Sequence, residues 1–554
     1  MRSIILFIVF IAGAMDIFSQ TVFEPAYRYD IYRFLDELAA EKIIVVQSQA
    51  KPYSRKYIVE KLITASDSSH RLSRRQMKEL QYYLRDYGLD AGLPFDTRAS
   101  LIRRKNLTVG LSPAFAHYRD SSFTLSVRPV WGRKYYIRNN CYIYHNSGGA
   151  EAFTYAGKHI GLYASLVDNY QKDELWAAPS YLTLEPGGSY KYNVRNRKGG
   201  DYSEMRGGVT YSWRWGHIGL IKDQIEWGGN YHGSNILSGR NPSFAQLKLM
   251  AQPVSWLQLD YFHGWLVSEV LDSNHYLYYS QGYVRTRYRP KYMAANMLTF
   301  SPWKRLQFSA GNSIVYDIEL QPAYFIPVMV YKSVDHTLHH SIDNMNSQFF
   351  VAVSSRQIKH LHLYGSWFVD EFSVTRVKDR NRRNFTSTKA GFRLSGLPLK
   401  DMFLTGEFTR TFPITYKHRV PTLTYASNQF SLGHYLGDNS REYFCSLEYH
   451  PLHTLILNAS WQYAVKGNQY EYLIDKNIDT RPFLKDVIWQ SIVQRVGFRW
   501  QIIYNTFVFA EYVIMDYKGF DAGGLTATDY LDIYTPSFFH GYHDFVYAGI
   551  TIGW

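Results

Sequence analysis

Val546-Tyr547-Ala548-Gly549-Ile550-Thr551-Ile552-Gly553-Trp554 ends the chain, and its apolar residues fall at every second position. In an extended strand successive side chains point to opposite faces, so Val546, Ala548, Ile550, Ile552 and Trp554 share one face, and Tyr547, Gly549, Thr551 and Gly553 the other. The same period recurs back to about Ser100. Phe123, Leu125, Val127, Pro129 and Trp131 alternate with Thr124, Ser126, Arg128 and Val130; Ile160, Leu162, Ala164 and Leu166 alternate with Gly161, Tyr163, Ser165 and Val167. A soluble sandwich or propeller and a transmembrane barrel would both alternate in this way. Small residues opposite the apolar stripe and an aromatic last residue, which resembles the signal read by bacterial outer-membrane assembly machinery, favour the barrel. About 450 residues at roughly 25 per strand and connection predict on the order of 16 to 20 strands, and an even number, about 18 antiparallel strands, is expected.

Composition agrees. The 554 residues include 48 Tyr, 33 Phe and 13 Trp, which excludes a disordered chain, and two cysteines, which exclude a disulfide scaffold. Tyr and Trp settle at bilayer interfaces, where one end of the ring is dry and the other wet. Residues 1–20 read as a signal peptide: Arg2 supplies the charge, Ile4 to Ala14 the short apolar run, and Ser19 a small residue for cleavage before Gln20. Beyond it no stretch is long enough for a helical span; the longest apolar run, Ala323 to Tyr331, is interrupted by Pro327.

Residues 21–100 follow a different period. Ile31, Phe34, Leu35 and Leu38 lie at i, i+3, i+4 and i+7 of a first helix. Ser54 can cap a second that carries Ile58 and Leu62. Ser73 and Gln76 make a capping box for a third, with Met77, Leu80, Leu84 and Tyr87, stopped at Gly88. So small a bundle is marginal alone and is expected to pack on something larger. The expected organisation is a signal peptide (1–20), a periplasmic helical plug (21–100) and an outer-membrane barrel (101–554).

The formal net charge is +14, and residues 101–554 hold 47 Lys and Arg against 35 Asp and Glu. A cation facing lipid at mid-depth costs about 2–4 kcal/mol, so the excess is expected in the lumen or its mouths. Arg285, Arg287, Arg289 and Lys291 alternate with Val284, Thr286, Tyr288 and Pro290, which would place four cations on one strand face as a lumen ladder for carboxylates or sulfates of an acidic polysaccharide. An internal ladder of ion pairs is the plainer alternative. A second basic run, Arg376 to Arg383, reads as a solvated loop. His336, His339 and His340 lack the closed ligand set of a metal site, and no metal or other cofactor is expected. No HExxH, GxSxG, P-loop or GxGxxG motif is present, and adjacent carboxylates such as Asp370 and Glu371 point to opposite strand faces, so nothing supports an enzyme. Cys141 and Cys445 are not expected to pair, and an exported barrel does not meet nucleic acid.

Several separated stretches, in order, carry a family resemblance. Lys222 to Gly229, with Trp227, Gly228 and Gly229, is followed by Ile236 to Phe244; Leu361 to Glu371 ends in Asp370 and Glu371; Leu432 to Ser440 contains His434, Asp438 and Asn439. With Tyr32 to Asp36 and Lys51 to Arg55 in the helical segment, they resemble the Wzi-like outer-membrane family of capsule assembly, in its Bacteroidetes-type branch. The resemblance implies a barrel of about 18 strands, closed at its periplasmic end by the helical bundle, that binds capsular or exopolysaccharide and helps attach or assemble it. Acidic surface polysaccharide, outer-membrane lipid and lipopolysaccharide are the expected partners of a monomer. The alternatives are a plugged porin or channel for anionic solutes and a barrel partner of a secretion complex. Trp227, Gly228 and Gly229 can equally be structural, the glycines allowing a tight turn or bulge.

Overall fold

The computed structural model describes residues 20–92, 100–110, 114–172, 175, 178–188, 191–192, 199–338, 345–372, 384–471 and 481–553. Eighteen antiparallel strands close on themselves. In chain order they are β1 Phe123–Arg138, β2 Cys141–Ala156, β3 Ile160–Lys172, β4 Gly199–Trp213, β5 Gly216–Asp223, β6 Phe244–Val254, β7 Leu257–Leu271, β8 Tyr288–Trp303 and β9 Leu306–Asp317. The second half comprises β10 Asn346–Ser355, β11 Leu361–Glu371, β12 Phe385–Ser395, β13 Met402–Thr411, β14 Ser440–Leu452, β15 Leu455–Gly467, β16 Val487–Ile503, β17 Thr506–Gly519 and β18 Gly541–Ile552. Each pairs with the next, and β18 returns to β1, with Val546 opposite Ile137 and Ile552 opposite Trp131. Closure leaves no unpaired edge, the condition for a sheet to stand in lipid. The expected all-β barrel and its strand number are therefore observed.

The period-two pattern sets what each face meets. On β3, Ile160 and Leu166 are exposed while Gly161, Tyr163, Ser165 and Val167 are buried. Leu298, Phe308, Val351, Trp367, Trp461 and Val496 extend the exposed apolar belt around the wall. So large a continuous apolar surface suits hydrocarbon, not water. Inside, Trp227, Phe262, Met297, Phe350 and Phe368 pack together. Some inward polar residues pair with one another, as Lys389 Nζ does with Glu407 Oε2 at 2.5 Å. Cys141 and Cys445 are both free.

Three helices precede the barrel: α1 Tyr29–Ala40, α2 Arg55–Asp67 and α3 Arg74–Tyr87. Ser54 accepts a hydrogen bond from Tyr57 N, and Ser73 with Gln76 forms the capping box. After Tyr87 the chain makes one tighter turn, Gly88–Ala91, and it is Gly92, at φ +78°, that takes the left-handed turn. Ile31, Phe34, Leu35, Leu38, Ile58, Leu62 and Leu80 fill the bundle core. The bundle sits against the end of the barrel where most turns are short. Asp36 bonds Arg356 beyond β10 (2.7 Å), Asp401 between β12 and β13 bonds Arg75 (2.7 Å), and Arg33 reaches Glu448 on β14 (2.7 Å).

The densest contact is an ion cluster around Arg55. It meets Glu24 at 2.8 Å, Asp86 at 3.0 Å and Asp90 at 2.8 Å, and Asp86 also pairs with Arg128 of β1. Burial would raise the Glu24 and Asp86 carboxyls, but Arg28, Arg55 and Arg128 outweigh it and hold both below their ordinary values. Carboxyls lowered in the folded state stabilise it fully above their unfolded pKa, and that share is lost as pH falls through the lower folded values. Asp90, raised by burial, works the other way, one carboxyl against two. Docking of the bundle is therefore expected to hold above about pH 4.5 and to loosen progressively below about pH 4, read as protease cleavage within residues 21–92.

At the opposite end the connections are mostly long, and two fold into the lumen: residues 224–243 and 412–439. Glu226–Trp227 pairs with Leu237–Ser238 on one side and with Ala50–Lys51, from the link between α1 and α2, on the other. A small three-stranded sheet thus stands inside the barrel. The expected signal peptide falls, save for Gln20, outside the described residues, as do Arg376 to Arg383, His339, His340 and Trp554.

Candidate functional site

Between β7 and β8, at the end away from the helices, the chain forms a hairpin with Leu277 opposite Arg285 and Tyr278 opposite Val284. Gln281 and Gly282, at φ +83° and +76°, turn it. Backbone bonds tie its base to the wall: Asp272 N donates to Arg287 O (2.8 Å) and Ser268 Oγ to Arg289 O (2.7 Å). Its side chains stand in solvent. Tyr278 and Tyr283 are 76% and 77% exposed, Tyr279 and Tyr288 about half. Arg285, Arg287 and Arg289 are exposed with them, and among the described residues no carboxylate bridges to any of the three.

This corrects the expected lumen ladder. Pairing of β7 with β8 is regular up to Pro290 opposite Val267 and then shifts before Tyr288 meets Leu271. Proline has no N–H to give the sheet, so the regular ladder ends there; Arg285 and Arg287 lie beyond the wall strand, and Arg289, at its start, is exposed. Only Lys291 turns inward; it is buried, and its Nζ donates to Thr424 O at 2.8 Å. Four tyrosines beside the arginines were not singled out from sequence. Their signal was the crowding of Tyr276, Tyr278, Tyr279, Tyr283 and Tyr288 into 13 residues.

A cavity of about 480 Å³ lies in the lumen between the helical segment, β2 to β4 and the inward loop 224–243. Tyr27, Tyr29, Tyr231 and Tyr435 line it, with Asn169, Gln171, Gln224 and Asn230. Arg33, Lys51, Lys134 and Arg240 face it, and so do Asp36, Glu185, Glu204 and Glu226. Four cations against four carboxylates give this cavity a balanced lining. Lys51 bonds Glu226 at 2.7 Å, and His232 stacks on Phe444 at 3.7 Å. Burial pushes the Arg240 guanidinium down to about 10, with Tyr435 partly offsetting it.

None of the eight motif residues lines this cavity. Trp227 is buried between Phe262 and Phe350, with ring centroids at 5.5 and 5.8 Å. Gly228 sits at φ +98°, and a Cβ on Gly229 would stand 3.0 Å from Tyr364. Asp370 accepts from Tyr416 N (2.7 Å), and Glu371 pairs with Phe385 in the β11–β12 ladder. His434 is fully buried 3.2 Å from Glu442; burial pushes its imidazole down more than Glu442 raises it. Asp438 accepts from Ile414 N (3.1 Å) and pairs with Lys417 and Lys466. Burial would raise its carboxyl, but the two lysines hold it down. Asn439 Nδ2 donates to Asn468 O (2.8 Å). These residues set the two inward loops in place, and their neighbours Glu226, Asn230 to Gly233 and Tyr435 reach the cavity.

Fold and site together define a barrel of outer-membrane type, filled by its own loops, with a tyrosine–arginine hairpin at its open mouth. No family model and no curated protein matches the chain. Among solved structures it is similar to Wzi of Escherichia coli, an outer-membrane protein involved in group 1 capsule assembly and described as a carbohydrate-binding β-barrel. The TM-score is 0.56 at 12% identity, over 97% of this chain and 99% of that one. OccAB2 of Acinetobacter baumannii (TM-score 0.42, 9% identity, 77% and 97% covered) and OccK1 of Pseudomonas aeruginosa (0.41, 7%, 78% and 98%) are further barrels of partial similarity. At these identities the likeness is one of fold.

Proposed function

We propose that the chain is a non-enzymatic outer-membrane protein that binds capsular or exopolysaccharide at its outer mouth and helps attach or assemble it at the cell surface. The helical bundle then closes the periplasmic end as a plug, and lipid and lipopolysaccharide surround the wall. The observation that carries this reading is the hairpin 277–288: four exposed tyrosine rings beside the exposed Arg285, Arg287 and Arg289, none of which forms an ion pair with a carboxylate among the described residues. Tyrosine faces pack against the apolar faces of sugar rings while the hydroxyl stays wet. Arginine meets carboxylate or sulfate substituents in two-pronged fashion. An acidic glycan uses both. The similarity to a carbohydrate-binding barrel supports the same reading.

The test is binding of the host's own surface polysaccharide to the detergent-purified protein, against a neutral glycan, over a salt series. Exposed ion contacts are worth about 0.2–1 kcal/mol each and are screened by salt. Replacing Arg285, Arg287 and Arg289 together by Gln is therefore expected to weaken binding at low salt by roughly thirtyfold and to flatten its salt dependence. Equal binding of acidic and neutral glycans by the wild type sinks the proposal. A plugged channel for anionic solutes is the second reading. One feature favours it: a cavity of about 210 Å³ at the seam between the bundle and the Tyr504 turn shares Tyr27 and Tyr29 with the lumen cavity.

A further inference from the structure

The longest apolar run of the mature sequence, Ala323 to Tyr331, lies in no strand. It belongs to the connection between β9 and β10, whose residues 318–338 fold down over the outside of the barrel. The wall beneath it is the outward face of β7, β8 and β9, and there that face turns polar. His263 hydrogen-bonds Tyr316 OH (2.6 Å) and stacks on Phe325 at 4.0 Å. Asn296 and Asn312 both donate to Met329 O (2.8 and 3.1 Å), and Tyr331 N donates back to Asn312 Oδ1 (2.9 Å). Tyr261 OH donates to Tyr324 O at 3.0 Å. Tyr261, Ala294, Ile314, Tyr316, Tyr324 and Tyr331 make an apolar core between wall and strap.

Between Ile326 and Val330 the strap's other face is apolar and exposed. Ile326, Val328 and Val330 alternate outward, Val328 at 69% exposure, while Met329 between them turns to the wall. Its depth follows from the ladder. Along β8 the outward residues run Phe300, Leu298, Asn296, Ala294 and Tyr292. Two residues advance about 7 Å, roughly 5 Å along the axis of a barrel whose strands tilt by about 40°. Trp256 and Trp303, exposed at the short turns, mark the near interface. Asn296, which pairs with Asn312, then lies roughly 10 Å deeper than Phe300, within a belt about 25 Å tall. Bare asparagine and histidine would face hydrocarbon at that level; the strap takes up their hydrogen bonds and presents valine and isoleucine instead.

We propose that residues 318–338 form a membrane-seated strap whose outer face, Ile326, Val328 and Val330, contacts the lipid acyl chains of the leaflet on the mouth side, as a continuation of the barrel's own apolar belt. The proposal rests on the barrel spanning a bilayer and is independent of the polysaccharide reading.

Full-length protein with Cys141→Ser and Cys445→Ser, reconstituted in phosphatidylcholine vesicles, tests it. A nitroxide is attached at Val328→Cys, and its collisions with oxygen, which concentrates in hydrocarbon, are compared with those with a water-soluble nickel chelate. Leu298→Cys in the belt and Tyr283→Cys on the hairpin are the lipid and water references, and Val330→Cys repeats the measurement at a second position. High oxygen and low chelate accessibility at both strap positions, matching Leu298→Cys, is the expected result. Chelate accessibility like that of Tyr283→Cys places the strap in water and overturns the proposal. Shielding from both reagents shows a protein, such as a second copy of the chain, on this face, and overturns it equally.

Discussion

Replacing Arg55 by methionine is expected to detach the helical bundle while leaving the barrel closed. The guanidinium is fully buried and answers three carboxylates, Glu24, Asp86 and Asp90, while stacking over Tyr87 at 4.4 Å and over Phe153 of β2 at 4.6 Å. Removing one partner of a buried ion pair costs about 3–5 kcal/mol, because the charge left behind stays desolvated. Here three anions lose a shared cation, and Arg128 is left to balance Asp86 from the wall side. A small bundle has little stability of its own to absorb that loss. The expected outcome is rapid proteolysis within residues 21–92 with heat-modifiable migration of the barrel unchanged. Lys56→Met, on the same helix and 26% exposed, should behave as wild type. Equal protection of the Arg55→Met bundle would show that apolar packing, not this cluster, holds it.

Trp227→Ala is expected to open the lumen. The indole is 1% exposed and wedges the inward loop 224–243 between Phe262 of β7 and Phe350 of β10. Truncating a buried tryptophan costs about 3–5 kcal/mol in lost contact and cavity. The wall, held by the closed strand ladder, does not depend on that contact, so the loss falls on the loop. Planar-bilayer recordings should then change from a silent or rarely opening wild type to frequent, noisy openings in the variant. A silent variant would mean that the 412–439 loop and the bundle suffice to block the pore, which also counts against the channel reading. Because Trp227 touches no part of the exposed hairpin, polysaccharide binding should persist.

The wall and the bundle were legible because both are written in local periods. A strand that faces lipid on one side must alternate, as Ile160 to Val167 does, and a short amphipathic helix must repeat at three and four, as Ile31 to Leu38 does. Caps at Ser54 and Ser73 are likewise decided within four residues. The site was half legible. The alternation from Arg285 to Lys291 drew attention to this segment, yet a period of two cannot say where a strand leaves its partner; that was decided by Pro290 and by a shift opposite β7. The inward loops carry no period at all. Trp227, Asp370, His434 and Asp438 stood out by resemblance, and what they do depends on partners on other elements, such as Tyr416 N, 46 residues from Asp370, or Ile414 N, 24 residues from Asp438. The apolar run at Ala323 to Tyr331 was visible but looked like a broken span, because sequence cannot show that a loop turns back along the outside of its own wall.

The small sheet in the lumen joins more than two loops. Val267 O, at the foot of the tyrosine–arginine hairpin, accepts from Asn428 N (3.0 Å); Leu432 O, on that same loop, accepts from Ser238 N (2.8 Å); and Gln49 O, leading back to α1 and α2, accepts from Gly228 N (3.0 Å). A series of hydrogen-bonded segments therefore runs from the mouth end of wall strand β7, through the two inward loops, to the segment that leads into the helices. A polymer tethered at the hairpin would load this interior line, and drag on it would be felt by the helical bundle at the far end of the barrel.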